Sequence, residues 1–437
     1  MNAGHLKTRL FLILSTFLCF SEALSFQTPQ VLPTKAILCN AVADFTKPNY
    51  IADVDNRLFA RQELEYYQVV SDKDLKNLTE LAKLIQSVKL NLITIPIPFK
   101  GSIYLTKSTT PDPRFDPVAS QKIYNNQIAI LQKLRIPTIN LDALARSFPS
   151  TSDFFARRDH HWTGEAMEAA ANQIAVLVEQ LKLGLDQTAQ TTLTRSVQSY
   201  GGSVADELSK ACGFVYPQQE KRTFYSLDLK TNEGLLGSAN QDVVIVGDSF
   251  SIPYFGFDKV VSNRLKTPIF NASINGGGCC ASINGYFANL GPTDPKPKLV
   301  IWTALAVVVN SWETRELKPT IYHAYYKTIP LLEKSWPIKL NSPIISNYKL
   351  DPKSRYFIGL SFKGPKVESA EIQADYNNSA EKISFYRSNQ DTKENYTTNY
   401  FYDLPENVSS IKKMTLNLKQ STGFTFRIYK YSQGTLK

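Results

Sequence analysis

The chain has 437 residues and carries 49 Lys+Arg against 39 Asp+Glu, a net charge of +10. That length exceeds one ordinary core and calls for two globular units, while 43% apolar and 20% charged residues exclude a disordered chain. The basic residues are scattered, so their surplus suits an anionic polymer or a membrane face rather than nucleic acid.

Residues 1–25 read as a signal peptide. Lys7 and Arg9 precede an apolar run, Leu10 to Phe20, too short for a membrane span. Ser21 and Ala23 place small residues at −3 and −1 of a cleavage site after Ala23. Export removes Cys19 and leaves Cys39, Cys212, Cys279 and Cys280 for an oxidising compartment. Four cysteines allow three connectivities, and bridging adjacent residues strains the peptide between them. Cys39–Cys212 is therefore the expected disulfide, tying the N-terminal arm to the body.

Beyond the leader, Leu75, Leu78, Leu81, Leu84, Ile85 and Val88 recur at helical spacing. Leu92-Ile93-Thr94-Ile95 is a β-rich run stopped by Pro96 and Pro98. A second helix follows on Tyr124, Ile128, Leu131 and Leu134, and Thr138 to Leu141 reads as a strand. Thr163 caps a third helix with Met167, Ala170, Ile174, Leu177 and Leu181 on its apolar face. Asp242 to Val246 and Leu299 to Trp302 are short continuous apolar runs of the kind buried on both faces of a parallel sheet. The alternation predicts one α/β domain over residues 26–335, a parallel sheet flanked by helices.

From 336 to 437 the helical period disappears. Short β-friendly runs around residues 355–360, 382–386, 414–418 and 424–429 predict a C-terminal β-sandwich. Ser388 to Tyr402, polar and tyrosine-rich, reads as a long loop.

Two stretches carry the chemistry. Gly247-Asp248-Ser249 follows a buried strand, so Ser249 stands where ligands bind in open α/β sheets. On a tight turn into a helix, its N–H and the helix N-terminus would face an oxyanion. Taken alone, the same residues serve equally as a helix cap, and Ser251 is a lesser candidate. A serine nucleophile needs a base, and the chain has four histidines. Asp159-His160-His161-Trp162 places a carboxylate two residues before an imidazole. A short arc can turn Asp159 and His161 to one side, leaving His160 pointing elsewhere. A buried ion pair supporting the helix start, or a metal site, would use the same residues, although consecutive side chains seldom converge on one ion.

Together the two stretches resemble the SGNH-hydrolase superfamily, with the Asp-x-His-Trp preceding the serine. That order is similar to the SGNH-like alginate and exopolysaccharide O-acetyltransferase family. Ile95 to Tyr104, Phe154-Phe155 and Asn271 to Gly278 agree with further family segments. His160 stands where the family has threonine, and Thr303-Ala304-Leu305-Ala306-Val307 where it continues Glu-x-Pro-Glu-Arg. The resemblance implies that Ser249 is the nucleophile, His161 the base and Asp159 its orienting acid. The N–H groups of Ser249, Gly276, Gly277 and Gly278 are expected to form an oxyanion hole. It also implies a periplasmic enzyme acting on a secreted, anionic polysaccharide, with a membrane acyltransferase as the source of acetyl groups. No cofactor and no metal are expected. The tail becomes a carbohydrate-binding module, with Tyr376, Tyr386, Tyr400 and Tyr402 as stacking platforms.

Overall fold

The computed structural model describes residues 50–52, 57–64, 69–106, 108, 115–212, 219–230, 242–305, 311–336, 342–363, 369–377, 379–386, 399–418 and 423–432. The signal peptide and Cys39 lie outside these residues.

Four strands make a parallel sheet: β1 (Leu92–Ile97), β4 (Val243–Gly247), β5 (Ile269–Asn271) and β6 (Leu299–Leu305), in the order β1-β6-β4-β5. The alternation of side chains sorts each strand between two cores. Ile93, Ile95, Val243, Ile245, Leu299 and Ile301 face the helices α3 (Gly164–Leu181) and α5 (Phe257–Leu265). Leu92, Val244, Val246, Val300 and Trp302 face α1 (Asp72–Ser87), α2 (Pro117–Lys133), α6 (Ala281–Ala288) and α7 (Ser311–Tyr325). The runs are continuous in apolar residues because both faces are covered.

The helices start where local chemistry dictates. Ser71 and Asp74 form a reciprocal capping box on α1, and Asp116 caps α2 with Pro117 in its first turn. Thr163 caps α3 through the N–H of Ala166. The strand expected at Thr138 is a single bridge to Thr94. Asn140 ends it, because its side chain accepts from the N–H of Ala143 and starts the helical turn Leu141–Arg146.

Between α3 and β4 the chain builds a hairpin absent from the sequence reading. β2 (Gln190–Tyr200) pairs antiparallel with β3 (Glu220–Lys230), and α4 (Ser203–Cys212) lies in their connection.

The tail holds two four-stranded antiparallel sheets around one apolar core. One has the order β8 (Ser342–Lys349), β13 (Ser410–Leu418), β10 (Ser369–Tyr376), β11 (Ala380–Tyr386). The other has the order β12 (Asn399–Asp403), β9 (Tyr356–Lys363), β14 (Gly423–Lys430), β7 (Leu332–Trp336). The expected boundary at 336 thus falls at the end of a strand that already belongs to the tail, pairing Trp336 with Phe424. The expected loop 388–402 is also corrected in its last residues. Asn399–Asp403 is a strand because Tyr400 and Tyr402 point into the sandwich while Phe401 packs on the other side, against His323.

The sandwich is joined to the α/β unit. Phe357, Phe401, Tyr429 and Tyr431 continue the core formed by Leu317, Ile321 and Tyr322 of α7. Lys318 is 2% exposed and pairs with Glu80 of α1 and Asp403 of β12, both at 2.6 Å. Arg355 reaches Glu80 at 3.1 Å and Glu406 at 2.6 Å. No helix among the described residues is long and apolar enough to cross a membrane.

Candidate active site

The Gly-Asp-Ser turn begins at Gly247, and no other residue fits there. A Cβ would stand 2.0 Å from Thr303 Oγ1 and 2.5 Å from Thr303 O. The turn is fixed from outside: Gly247 N–H donates to Ser282 Oγ, and Gly247 O accepts from Ile274 N–H. Asp248 Oδ1 accepts from Phe250 N–H at 3.0 Å, which leaves Ser249 half-buried at the crest. Burial pushes the Asp248 carboxyl up to about 7, against the opposing pull of the Phe250 N–H. The expected helix does not start here. Pro253 interrupts the run, and α5 begins only at Phe257, so Ser249 does not lie in its first turn. Ser251 is fully buried and bonds Ser273 Oγ at 2.8 Å and Thr303 Oγ1, so it backs the turn and does not face the cleft.

The histidine loop is closed by an antiparallel bridge between Phe155 and Trp162 and by the bond from Ala156 N–H to His161 O. Lys100, 1% exposed, places its three ammonium protons on the carbonyls of Leu58, Arg157 and Asp159 at 2.7, 3.0 and 3.0 Å. Trp162 Nε1 donates to Phe250 O at 2.9 Å and ties this loop to the Gly-Asp-Ser turn. The His161 ring packs between Phe250 and Phe255, with centroids 4.9 and 4.6 Å away.

Asp159, fully buried, is the centre of the site. Its Oδ1 accepts from His161 Nδ1 at 2.6 Å, His161 N–H at 3.0 Å and Ser203 Oγ at 2.9 Å. Its Oδ2 accepts from Tyr200 OH at 2.6 Å and Ser203 N–H at 3.2 Å, with the Arg222 guanidinium at 3.5 Å. Burial alone would raise this carboxyl. The charge and hydrogen bond of His161, with His160 and Arg222 beyond, hold it well below the usual range. An ionised carboxylate only accepts, so His161 Nδ1 carries a proton, and in the neutral ring Nε2 presents a lone pair. Nε2 has no hydrogen-bond partner, not even Ser249. The structure therefore brings Asp159 and His161 into direct contact and links Ser249 to them through its neighbour Phe250. A base awaiting a hydroxyl proton is what this arrangement supplies.

Tyr200, Ser203 and Arg222 escaped the sequence reading. Tyr200-Gly201-Gly202-Ser203 held the one usable signal, since a Cβ on Gly202 would stand 2.3 Å from Arg158 O. Arg222 gave none. It is buried over the Phe255 ring at 4.0 Å and donates to Trp162 O at 2.9 Å.

Other expectations are corrected. His160 does not turn away: its ring lies 4.0 Å from that of His161. Gly277 donates its N–H to Ile274 O and is unavailable to an oxyanion, while Gly276 and Gly278, at φ 67° and 58°, shape the same turn. Cys279 and Cys280 are bonded to each other. That pairing leaves Cys39 and Cys212 for each other; Cys212 ends α4, and Cys39 lies outside the described residues. Tyr376, Tyr400 and Tyr402 are 2, 7 and 6% exposed and belong to the sandwich core, so none can offer a face to a sugar. The Tyr386 side chain lies outside the described residues.

Among the described residues, Asp159, His160 and His161 hold potential metal-ligand atoms within 4.8 Å of one another. The Asp159 oxygens are occupied by hydrogen-bond donors and His161 Nδ1 by its proton. The set fits proton transfer better than metal ligation.

A parallel α/β sheet with an Asp–His pair beside a Gly-Asp-Ser turn defines an SGNH-hydrolase-like protein. Residues 54–304 match the family described as SGNH hydrolase-like domain, acetyltransferase AlgX, and the chain belongs to that family. The alginate biosynthesis protein AlgX of Pseudomonas putida is 26% identical over 155 residues, 34% of this chain and 32% of that protein. Its counterpart from Pseudomonas aeruginosa is 23% identical over 220 residues, 49% of this chain and 46% of that protein. The chain thus aligns with half or less of the length of these relatives. The solved structure of Pseudomonas aeruginosa AlgX superimposes with a TM-score of 0.72 at 18% identity, covering 88% of this chain and 95% of that one, and shares its fold.

Proposed function

We propose that the chain is an exported acyltransferase that moves an acetyl group through Ser249 onto a hydroxyl of a secreted polysaccharide. The observation that carries this reading is the Asp159–His161 bond of 2.6 Å with the opposite nitrogen, Nε2, buried without a hydrogen-bond partner. His161 Nε2 takes the Ser249 proton as Oγ attacks the donor carbonyl, and returns it to the leaving group as that bond breaks. The sugar hydroxyl then gives its proton to Nε2 while its oxygen attacks the acetyl-serine, and Ser249 Oγ leaves and regains a proton. With the Gly277 N–H engaged, the N–H groups of Ser249, Gly276 and Gly278 are the oxyanion donors of this reading. The names of the relatives support an alginate-like acceptor, and the net charge of +10 suits a uronic-acid polymer in the periplasm. The sandwich would hold the chain as a carbohydrate-binding module, and a membrane acyltransferase would supply the acetyl group. Tyr254, 62% exposed and 5.1 Å from Phe255, is the aromatic side chain placed to meet a sugar at the cleft.

Intact mass after brief incubation with an activated acetyl ester tests the reading. Wild type gains one acetyl group and Ser249→Ala gains none. A folded wild type with neither adduct nor ester turnover overturns it. Adding a polyuronate then separates transfer from hydrolysis, and acetyl released only to water would make the protein an esterase.

A further inference from the structure

His160 occupies the position where the family resemblance expects threonine, and it stands inside the site. Its Nδ1 is 3.2 Å from Ser203 Oγ, which is 2.9 Å from Asp159 Oδ1. The serine has one proton, and the carboxylate can only accept, so that proton belongs to the Asp159 bond. Ser203 Oγ must then accept from His160 Nδ1–H. A neutral imidazole carries one N–H, which leaves His160 Nε2 a bare acceptor. Burial, and then the neighbouring His161 ring, hold the His160 pKa down to about 3, so the ring is neutral in ordinary buffers.

Both Nδ1 atoms approach one oxygen, Asp159 Oδ1, at 2.6 and 3.6 Å, and the ring centroids are 4.0 Å apart with the planes tilted by 35°. Each Nε2 is therefore at the end of its ring remote from Asp159. The His160 side chain is 22% exposed against 6% for His161, so the second acceptor is the more open one.

We infer that His160 Nε2 accepts a hydrogen bond from a second hydroxyl of the acceptor sugar, adjacent to the hydroxyl that His161 deprotonates, so that the paired histidines recognise a diol. Hydroxyl oxygens on neighbouring ring carbons lie about a hydrogen-bond length apart and can each meet one of two adjacent imidazoles. A water can bridge the two acceptors only from a single oxygen, whereas a diol brings a separate oxygen to each. The pair therefore favours a sugar over water at the acetyl-serine. This inference rests on the acyl-serine reading above.

The test reads the partition of the acetyl-enzyme, which does not depend on how fast that species forms. With p-nitrophenyl acetate as donor, transfer is measured against hydrolysis for two acceptors, a methyl uronopyranoside with vicinal hydroxyls and methanol. His160→Phe keeps a ring against His161 and Phe250 but removes Nε2. It should lower the transfer-to-hydrolysis ratio for the uronoside about tenfold, the worth of one hydrogen bond, and leave the methanol ratio within about twofold. His160→Gln, which offers an amide oxygen, should restore most of the loss. A ratio unchanged in His160→Phe, or falling equally for both acceptors, overturns the role of His160 alone. Absence of any acetyl-Ser249 adduct in wild type is recognised by mass, and overturns the acyl-serine reading together with this inference.

Discussion

At the scale of residues, the site is organised by one carboxylate. Asp159 is met by His161, Ser203, Tyr200 and Arg222, and its second oxygen is as fully engaged as its first. An acid so well supplied with donors does not take the imidazole proton; it fixes the tautomer and the ring. Asp159→Asn should lower acetylation of Ser249 about 10⁴-fold, because an amide can donate to Nδ1 and leave Nε2 protonated. Tyr200→Phe removes one donor of several. It should slow the same step about tenfold and lower stability by about 1–2 kcal/mol, read as a burst rate and a denaturant midpoint. Asp248 gives a signature in pH. Its folded-state pKa of about 7 lies above its ordinary value, so the folded protein holds a proton that the unfolded chain has released. Stability should therefore fall as pH rises from about 4 to about 7, and this group contributes on the order of 4 kcal/mol. Asp248→Asn keeps an acceptor for Phe250 N–H. Its unfolding free energy should decline less between pH 5 and pH 8 than that of wild type, and an equal decline would refute the assignment.

At the scale of elements, what could be read ahead was whatever has a local cause. The buried strands around Ile245 and Ile301, the Thr163 cap and the Asp159–His161 spacing each state their role within a few residues. The hairpin did not. Gln190 to Tyr200 alternates weakly because most of that strand faces solvent, and the residues that matter, Tyr200 and Arg222, act through partners about 40 and 60 positions away. The tail tyrosines were misjudged for the same reason: alternation shows that a strand exists, and only the second sheet shows which face is inside. Gly247 is the opposite case, a motif residue whose need is absolute. Gly247→Ala should abolish folding or cost several kcal/mol. Thr303→Ala should not rescue it, because the Thr303 carbonyl remains 2.5 Å from the new Cβ. Soluble yield and thermal midpoint of the single and double variants check this.

At the scale of the whole molecule, the sandwich and the α/β unit share a core and an ionic cluster. Lys318 lies between Glu80 and Asp403, and Arg355 reaches back to Glu80. Lys318→Met strands carboxylates in the interior and should cost about 3–5 kcal/mol at neutral pH. Burial alone would raise the Glu80 pKa, but Lys318 and Arg355 bring it below its ordinary value. Its contribution is present above the unfolded pKa and lost as pH falls through the folded one, so the gap between wild type and Lys318→Met should narrow in acid. Calorimetry at pH 7 and pH 4 measures it.

That shared interior limits how freely the two halves can be exchanged. Two units distinct in texture along the chain are not two interchangeable parts. A sandwich grafted from a relative would have to carry an acid at the position of Asp403, a cation at that of Arg355 and flat aromatic rings at those of Phe357 and Tyr429. A tail lacking them would leave Lys318 and Glu80 with fewer partners than they have here, however well it folded alone. Chimaeras that restore these four positions should regain a single unfolding transition, and those that do not should melt in two.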